Sequence, residues 1–183
     1  MLYDDALNIA TTIKDTLAPY CVRIEIAGAI RRHKSEVSDI KIVCIPKRSV
    51  STVAYETLFG GENIQTVEKT SPEFVQCVNK WHAVKGKPEG KFTQRIFDGI
   101  TLKLFMCYPH NWGLVLAIHT ATLDFSHRVL AKRWCKMGYE CEDGTLFRVR
   151  GTQKPEPVFL YEEADLFNLL QLKPVPPENM EVK

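Results

Sequence analysis

Apolar positions recur along this chain with two different periods. From residue 3 to 18, Ala6, Ile9, Ala10, Ile13 and Leu17 return every three or four positions, the spacing of one helix face. Asp4 and Asp5 fall in the first turn of that helix and Pro19 ends it. Residues 22–27 alternate instead and predict a strand. Residues 39–45 predict another, with Ile40, Ile42 and Cys44 on one face and Asp39 and Lys41 on the other, because strand side chains point alternately up and down. A hairpin follows over 92–106, where Asp98-Gly99 joins two alternating runs. Its second strand sets Ile100, Leu102, Leu104 and Met106 against Thr101, Lys103 and Phe105.

The intervening segments read as helices and loops. Residues 51–59 predict a short helix closed by Gly60-Gly61. Ser71-Pro72 is an N-cap followed by proline at the first helical position, and predicts a helix over 71–84. The stretch Lys85-Gly86-Lys87-Pro88-Glu89-Gly90-Lys91 is a loop. Residues 112–119 and 123–137 predict two helices separated at Thr120-Ala121-Thr122, the second ending at Gly138. A small hairpin around Asp143-Gly144, a helix over 161–170 and a proline-bearing tail close the chain, and no internal repeat occurs.

Composition narrows the class without naming it. The 183 residues are 45% apolar and 25% charged, ordinary for one or two compact domains. A net charge of +2 gives no global case for nucleic acid, so that case rests on local patches. No apolar run approaches the ~20 residues of a membrane span, and the N-terminus lacks a signal-peptide pattern. The six cysteines form no C-x-x-C pair and read as reduced core thiols of a cytoplasmic protein.

The chemistry concentrates between residues 27 and 45. Gly28 follows a strand, where a missing side chain lets the backbone turn tightly and approach a ligand. A short helix starting there directs free N–H groups outward, an arrangement suited to phosphate, and Arg31 and Arg32 add charge. The run Gly28-Ala29-Ile30-Arg31-Arg32-His33 followed by Asp39-Ile40-Lys41 resembles the signature of the DNA polymerase X family, the relatives of DNA polymerase beta. That signature is Gly-Ser, Arg-Arg-Gly, a spacer, then two carboxylates in alternation on a strand. The resemblance extends to Gly99–Phe105, similar to the family's third-carboxylate strand, and to His119-Thr120-Ala121-Thr122 through Phe125, similar to its Thr-Gly-Ser turn. Lys136–Tyr139, Asp143–Leu146, Glu162–Phe167 and the terminal prolines also match, so nearly all of residues 5–178 is covered.

The resemblance implies an α/β (α+β) fold: a nucleotidyltransferase palm with a mixed sheet over residues 1–108, then a small helical and hairpin nucleotide-binding subdomain over 109–183. It implies nucleotidyl transfer from a deoxynucleoside triphosphate to a DNA 3′ end, on primer/template or gapped DNA, by a monomer. Gly28, Ala29 and Arg32 are expected at the triphosphate, and His119, Thr120, Ala121 and Asp124 at the sugar and base. Lys85, Lys87, Lys91 and Arg128 are expected along DNA, although the lysine loop and the basic helix face read equally well as solvated surface. His119 reads equally well as a packed core histidine.

Two departures stand at the centre. The family holds two metal ions on three carboxylates. Here Asp39 is kept, but Lys41 takes the second position and Lys103 the third; an alignment shifted by two puts Thr101 there instead. Three carboxylates with two divalent cations carry the same net charge as one carboxylate with two ammonium groups, so the lysines are expected to stand where the metals stood. No cofactor is then required and magnesium binds weakly at most. The alternatives are a catalytically silent homologue that binds nucleotide, nucleic acid or a protein, and an engineered inactive form.

Overall fold

A computed structural model describes residues 1–56 and 62–182. Helix α1 (Tyr3–Leu17) leads through a 3-10 turn into strand β1 (Cys21–Ala27), the four-residue helix α2 (Gly28–Arg31) and strand β2 (Ile40–Pro46). Strands β3 (Arg48–Glu56) and β4 (Glu62–Thr70), helix α3 (Pro72–Asn79) and strands β5 (His82–Lys85), β6 (Phe92–Phe97) and β7 (Ile100–Met106) follow. The C-terminal part holds helices α4 (Trp112–Thr120), α5 (Leu123–Phe125) and α6 (Lys132–Lys136), strands β8 (Tyr139–Glu142), β9 (Thr145–Arg148) and β10 (Glu156–Val158), and helix α7 (Glu163–Leu169).

The central sheet has the order β1-β2-β7-β6-β5 and is mixed, because β2 and β7 run parallel while the other pairs are antiparallel. Its alternation follows the pattern of the residues. Ile40, Ile42, Cys44, Leu102 and Leu104 are fully buried on one face against Ala6, Ala10, Ile13 and Leu17 of α1 and Phe74 of α3. The other face is covered only in part. Val43 and Ile45, with Cys107, Trp112, Val115 and Leu116, form a second core beneath α4. Lys41 and Lys103 lie on that same face, beyond the apolar cover. A third core, including Leu114, Phe125, Leu130, Trp134, Leu166 and Phe167, holds the C-terminal helices and hairpin together.

Three expectations need correction. Residues 51–56, expected in a helix over 51–59, belong to β3, paired antiparallel with an unforeseen β4. Thr52, Val53 and Tyr55 are β-branched or aromatic and suit a ladder better than a helix. Residues 57–59 and the closing Gly60-Gly61 lie outside the described residues. The helix expected over 71–84 keeps its Ser71 cap, whose hydroxyl accepts from the Phe74 N–H at 3.3 Å, but ends at Asn79. Trp81 then packs edge-on against Phe97, and 82–85 becomes the exposed edge strand β5. Third, the basic helix over 123–137 is not one α-helix. It has a π-helical stretch, Ser126–Ala131, at its centre, and Arg133 turns inward to donate to the Leu170 carbonyl at 2.9 Å.

The cysteines also divide. Cys21, Cys44, Cys77 and Cys107 are buried, whereas Cys135 and Cys141 are exposed. No described helix is long and apolar enough to cross a membrane.

Candidate active site

The parallel register places Lys41 directly opposite Lys103. Both side chains rise from the sheet face that α4 leaves uncovered at this end. Asp39 sits one residue before β2, and its Oδ2 accepts a hydrogen bond from Lys103 Nζ at 2.6 Å. The pair is only partly exposed, the Asp39 side chain at 16% and that of Lys103 at 32%. Lys41 has no hydrogen bond or ion pair among the described residues. Its stem lies across Gly28, where a Cβ would come within 2.9 Å of Lys41 Cδ. Gly28 also holds φ at +67°, which favours glycine. The turn therefore does bring backbone close to another group, and that group is a lysine of the same site.

Burial lowers the pKa of Lys41; Asp39 opposes the shift, and Lys103 and Arg32 reinforce it. Arg32 is shifted down as well, chiefly by burial. One of its terminal nitrogens donates to the Thr120 carbonyl, while its Nε is buried with no partner among the described residues. Arg31 points at the same turn. It donates to Thr120 Oγ1 at 2.7 Å and makes a two-pronged pair with Glu163 at 2.7 and 2.5 Å. The two arginines thus tie the turn after β1 to the end of α4. Ala29 packs against the first core.

His119 stacks on Phe105, ring centroids 3.5 Å apart. Burial, then the nearby Lys41, pushes its pKa down to about 4. The unfolded imidazole takes its proton near the usual pH of ~6.5. Between those values the unfolded chain binds the extra proton, so stability falls as pH drops from about 6.5 to about 4, by at most about 3 kcal/mol. We expect His119→Phe, which keeps a ring on Phe105, to flatten that fall. Urea midpoints at about pH 7 and pH 4.5 measure it, and equal losses in both proteins would remove His119 as the cause.

Lys41 and His119 line one side of a cavity of about 350 Å³ whose other walls include Ala121, Leu123, Ser126 and Trp134. Thr120 is fully buried and Ala121 nearly so. Gly28, Arg32, Asp39, Lys41, Lys103, His119, Thr120 and Ala121 therefore gather in one region. Ala29 adjoins Gly28 in α2, and the other expected residues are exposed or paired elsewhere. Asp124 is exposed and pairs with Arg128 at 3.6 Å. Lys91 pairs with Asp143 at 2.6 Å, while Lys85 and Lys87 are exposed at the far edge of the sheet. Residue-level reasoning missed Phe105 as the platform for His119, though its alternation with Lys103 places it on that face. It also missed Trp134 and the π-helical wall, a rare geometry common near functional sites that has no signal in residue spacing.

The donors here do not fit a pair of divalent cations. Such ions want several oxygen ligands, whereas this site offers one carboxylate already bonded to an ammonium group, with a second ammonium opposite. Among the described residues no group of three His, Cys, Asp or Glu side chains is placed to hold a metal.

No protein-family model matches the chain, and no curated protein matches it. Among solved structures it is similar to a Leishmania infantum polymerase beta in a ternary P/T complex. The TM-score is 0.70 at 13% identity, and the match covers 100% of this chain and 77% of that one. At this identity the likeness speaks for architecture alone: a mixed α/β fold similar to that of the polymerase beta structure.

Proposed function

We propose that this chain transfers a nucleotide from a deoxynucleoside triphosphate to a DNA 3′ end, with Lys41 and Lys103 taking the place of metal ions. The observation that carries this reading is the Lys103–Asp39 pair facing Lys41 across two parallel strands, beside a cavity of about 350 Å³. The compact ammonium charges of lysine suit phosphate oxygens. The palm is residues 1–108, and 109–183 form the part that faces nucleotide and DNA. Gly28, Ala29 and Arg32 hold the triphosphate; the unpartnered Nε of Arg32 supports that role. His119 and Ala121, which line the cavity, face the sugar and base with Asp124 beside them, and the buried Thr120 holds the turn through Arg31 and Arg32. Lys85 and Lys87, which carry no ion pair among the described residues, meet the DNA backbone, with Lys91 and Arg128 joining if they exchange their carboxylate partners for phosphates. The solved structure of like fold, a polymerase beta in a ternary P/T complex, supports this choice of partners.

The direct test is primer extension with and without excess EDTA. Extension that persists in EDTA is the expected result. We also expect Arg32→Ala to weaken triphosphate binding by about 1.5–3 kcal/mol, the scale of a hydrogen bond from a charged group. Unchanged affinity by calorimetry would take Arg32 out of the site. A second reading, a silent nucleotide- or nucleic-acid-binding protein, is favoured by one observation: the Asp39 carboxylate beside the two lysines is already engaged by Lys103. Binding without extension under any condition would select it.

A further inference from the structure

The two lysines of the site are not equivalent. Lys103 is held at 2.6 Å by Asp39, its charge answered. Lys41 has no such partner among the described residues. Its stem is fixed across Gly28, and it lines the cavity that His119 and Trp134 also line, a cavity Lys103 does not reach. Lys103 and Arg32 crowd Lys41 with positive charge, Asp39 alone opposes them, and the adjoining His119 is neutral at pH 7. A lysine that is partly desolvated and set among cations is the general arrangement that turns an ammonium into a nucleophilic amine.

We propose that Lys41 is a nucleophile: its Nζ attacks the α-phosphorus of a bound nucleoside triphosphate and carries the nucleotidyl group as a phosphoramidate. This rests on the triphosphate-binding reading above and gives Lys41 a bond-forming role in place of a purely electrostatic one. The P–N bond forms as the bond from the α-phosphorus to the bridging oxygen breaks. Pyrophosphate leaves with that electron pair. The proton shed by Nζ passes to the Asp39 carboxylate and on to water, and nothing is oxidised or reduced. Arg32 and Lys103 offset phosphate charge that would otherwise return Lys41 to its ammonium form. A hydroxyl attacking the same phosphorus later breaks the P–N bond and restores the amine, so the adduct is a nucleotide donor.

The test uses the full chain with α- or γ-labelled triphosphate in excess EDTA, denatured and resolved on a gel. The expected result is α-label that stays on the protein through alkali and is released by acid, with no γ-label. It falls to background in Lys41→Arg and persists in Lys80→Arg, a change at an exposed lysine. Mass spectrometry of the unaltered chain locates the adduct independently of any variant. Tryptic cleavage between Lys41 and Ile42 should fail, and the spanning peptide should gain the mass of one nucleoside monophosphate. Labelling should also quicken as pH rises and level off below the ordinary lysine value of ~10.4. Undiminished label in Lys41→Arg, retained γ-label, or no adduct while calorimetry shows triphosphate bound would each overturn the proposal and leave the binding reading standing. No triphosphate binding at all would overturn both.

Discussion

Lys41→Ala and Lys103→Ala are each expected to reduce nucleotide addition by ~10²-fold or more, the scale of losing a preorganised charge aimed at a transition state. The two losses should differ in kind. Lys103→Ala leaves Asp39 half-buried without its 2.6 Å partner, so the carboxylate then opposes phosphate. Lys41→Ala removes the amine that reaches the cavity and leaves the Asp39 pair intact. Asp at both positions should instead create magnesium dependence, since three carboxylates would then share one sheet face. Primer extension across a magnesium series and in EDTA measures all four proteins. If the unaltered chain turns over no primer while the double Asp variant extends with magnesium, the metal-free reading fails and the silent one replaces it.

The second large effect concerns stability. Gly113→Ala is expected to destabilise the chain by about 3 kcal/mol, the upper part of the usual range for overpacking. Gly113 has no unusual φ; the constraint is space. An added Cβ would lie 2.1 Å from the Glu162 carbonyl oxygen and 2.3 Å from its carbon, and backbone there has nowhere to retreat. The approach is held from both sides, by the Gly113 N–H donating to the Leu160 carbonyl at 2.9 Å and the Leu160 N–H donating to the His110 carbonyl at 2.7 Å. Arg23 adds a two-pronged pair to Glu162 and lies over the buried Trp112 ring. The variant should therefore loosen α7 from α4. Urea unfolding measures the loss, and a change under about 0.5 kcal/mol, the range of an ordinary surface substitution, would show that the loop yields freely.

Much of this was legible in the residues because local signals and tertiary packing agree there. Asp98 and Gly99 both take positive φ, so the Asp-Gly hairpin is formed as its chemistry requires. Lys41 and Lys103 share a face because both strands alternate strictly and pair in register. Expectation failed where tertiary partners decide. Residues 51–56 become strand only by pairing with 62–70, a segment with no strong alternation of its own. The helix from Ser71 ends where β6 offers an edge to His82 and Ala83. Arg31 and Arg32 both add charge beside Gly28, yet Arg31 is committed to Glu163 and Thr120, choices made by residues far along the chain.

That last contact bears on how the molecule is made. The sheet is complete once Met106 has paired, but the pairs that tie it to the later helices join Arg31, at its charged end, to Thr120 and Glu163, and Arg23, opposite Ile45 at the other end of β2, to Glu162, across as many as 139 residues of chain. Closing such loops costs entropy that nearer contacts do not, so these contacts form after the strands. During synthesis the lysines stay open to solvent until Thr120 and Glu163 have emerged to meet Arg31. In the finished protein the same contacts should open first, exposing the amides of 163–169 to exchange before those of β2 and β7.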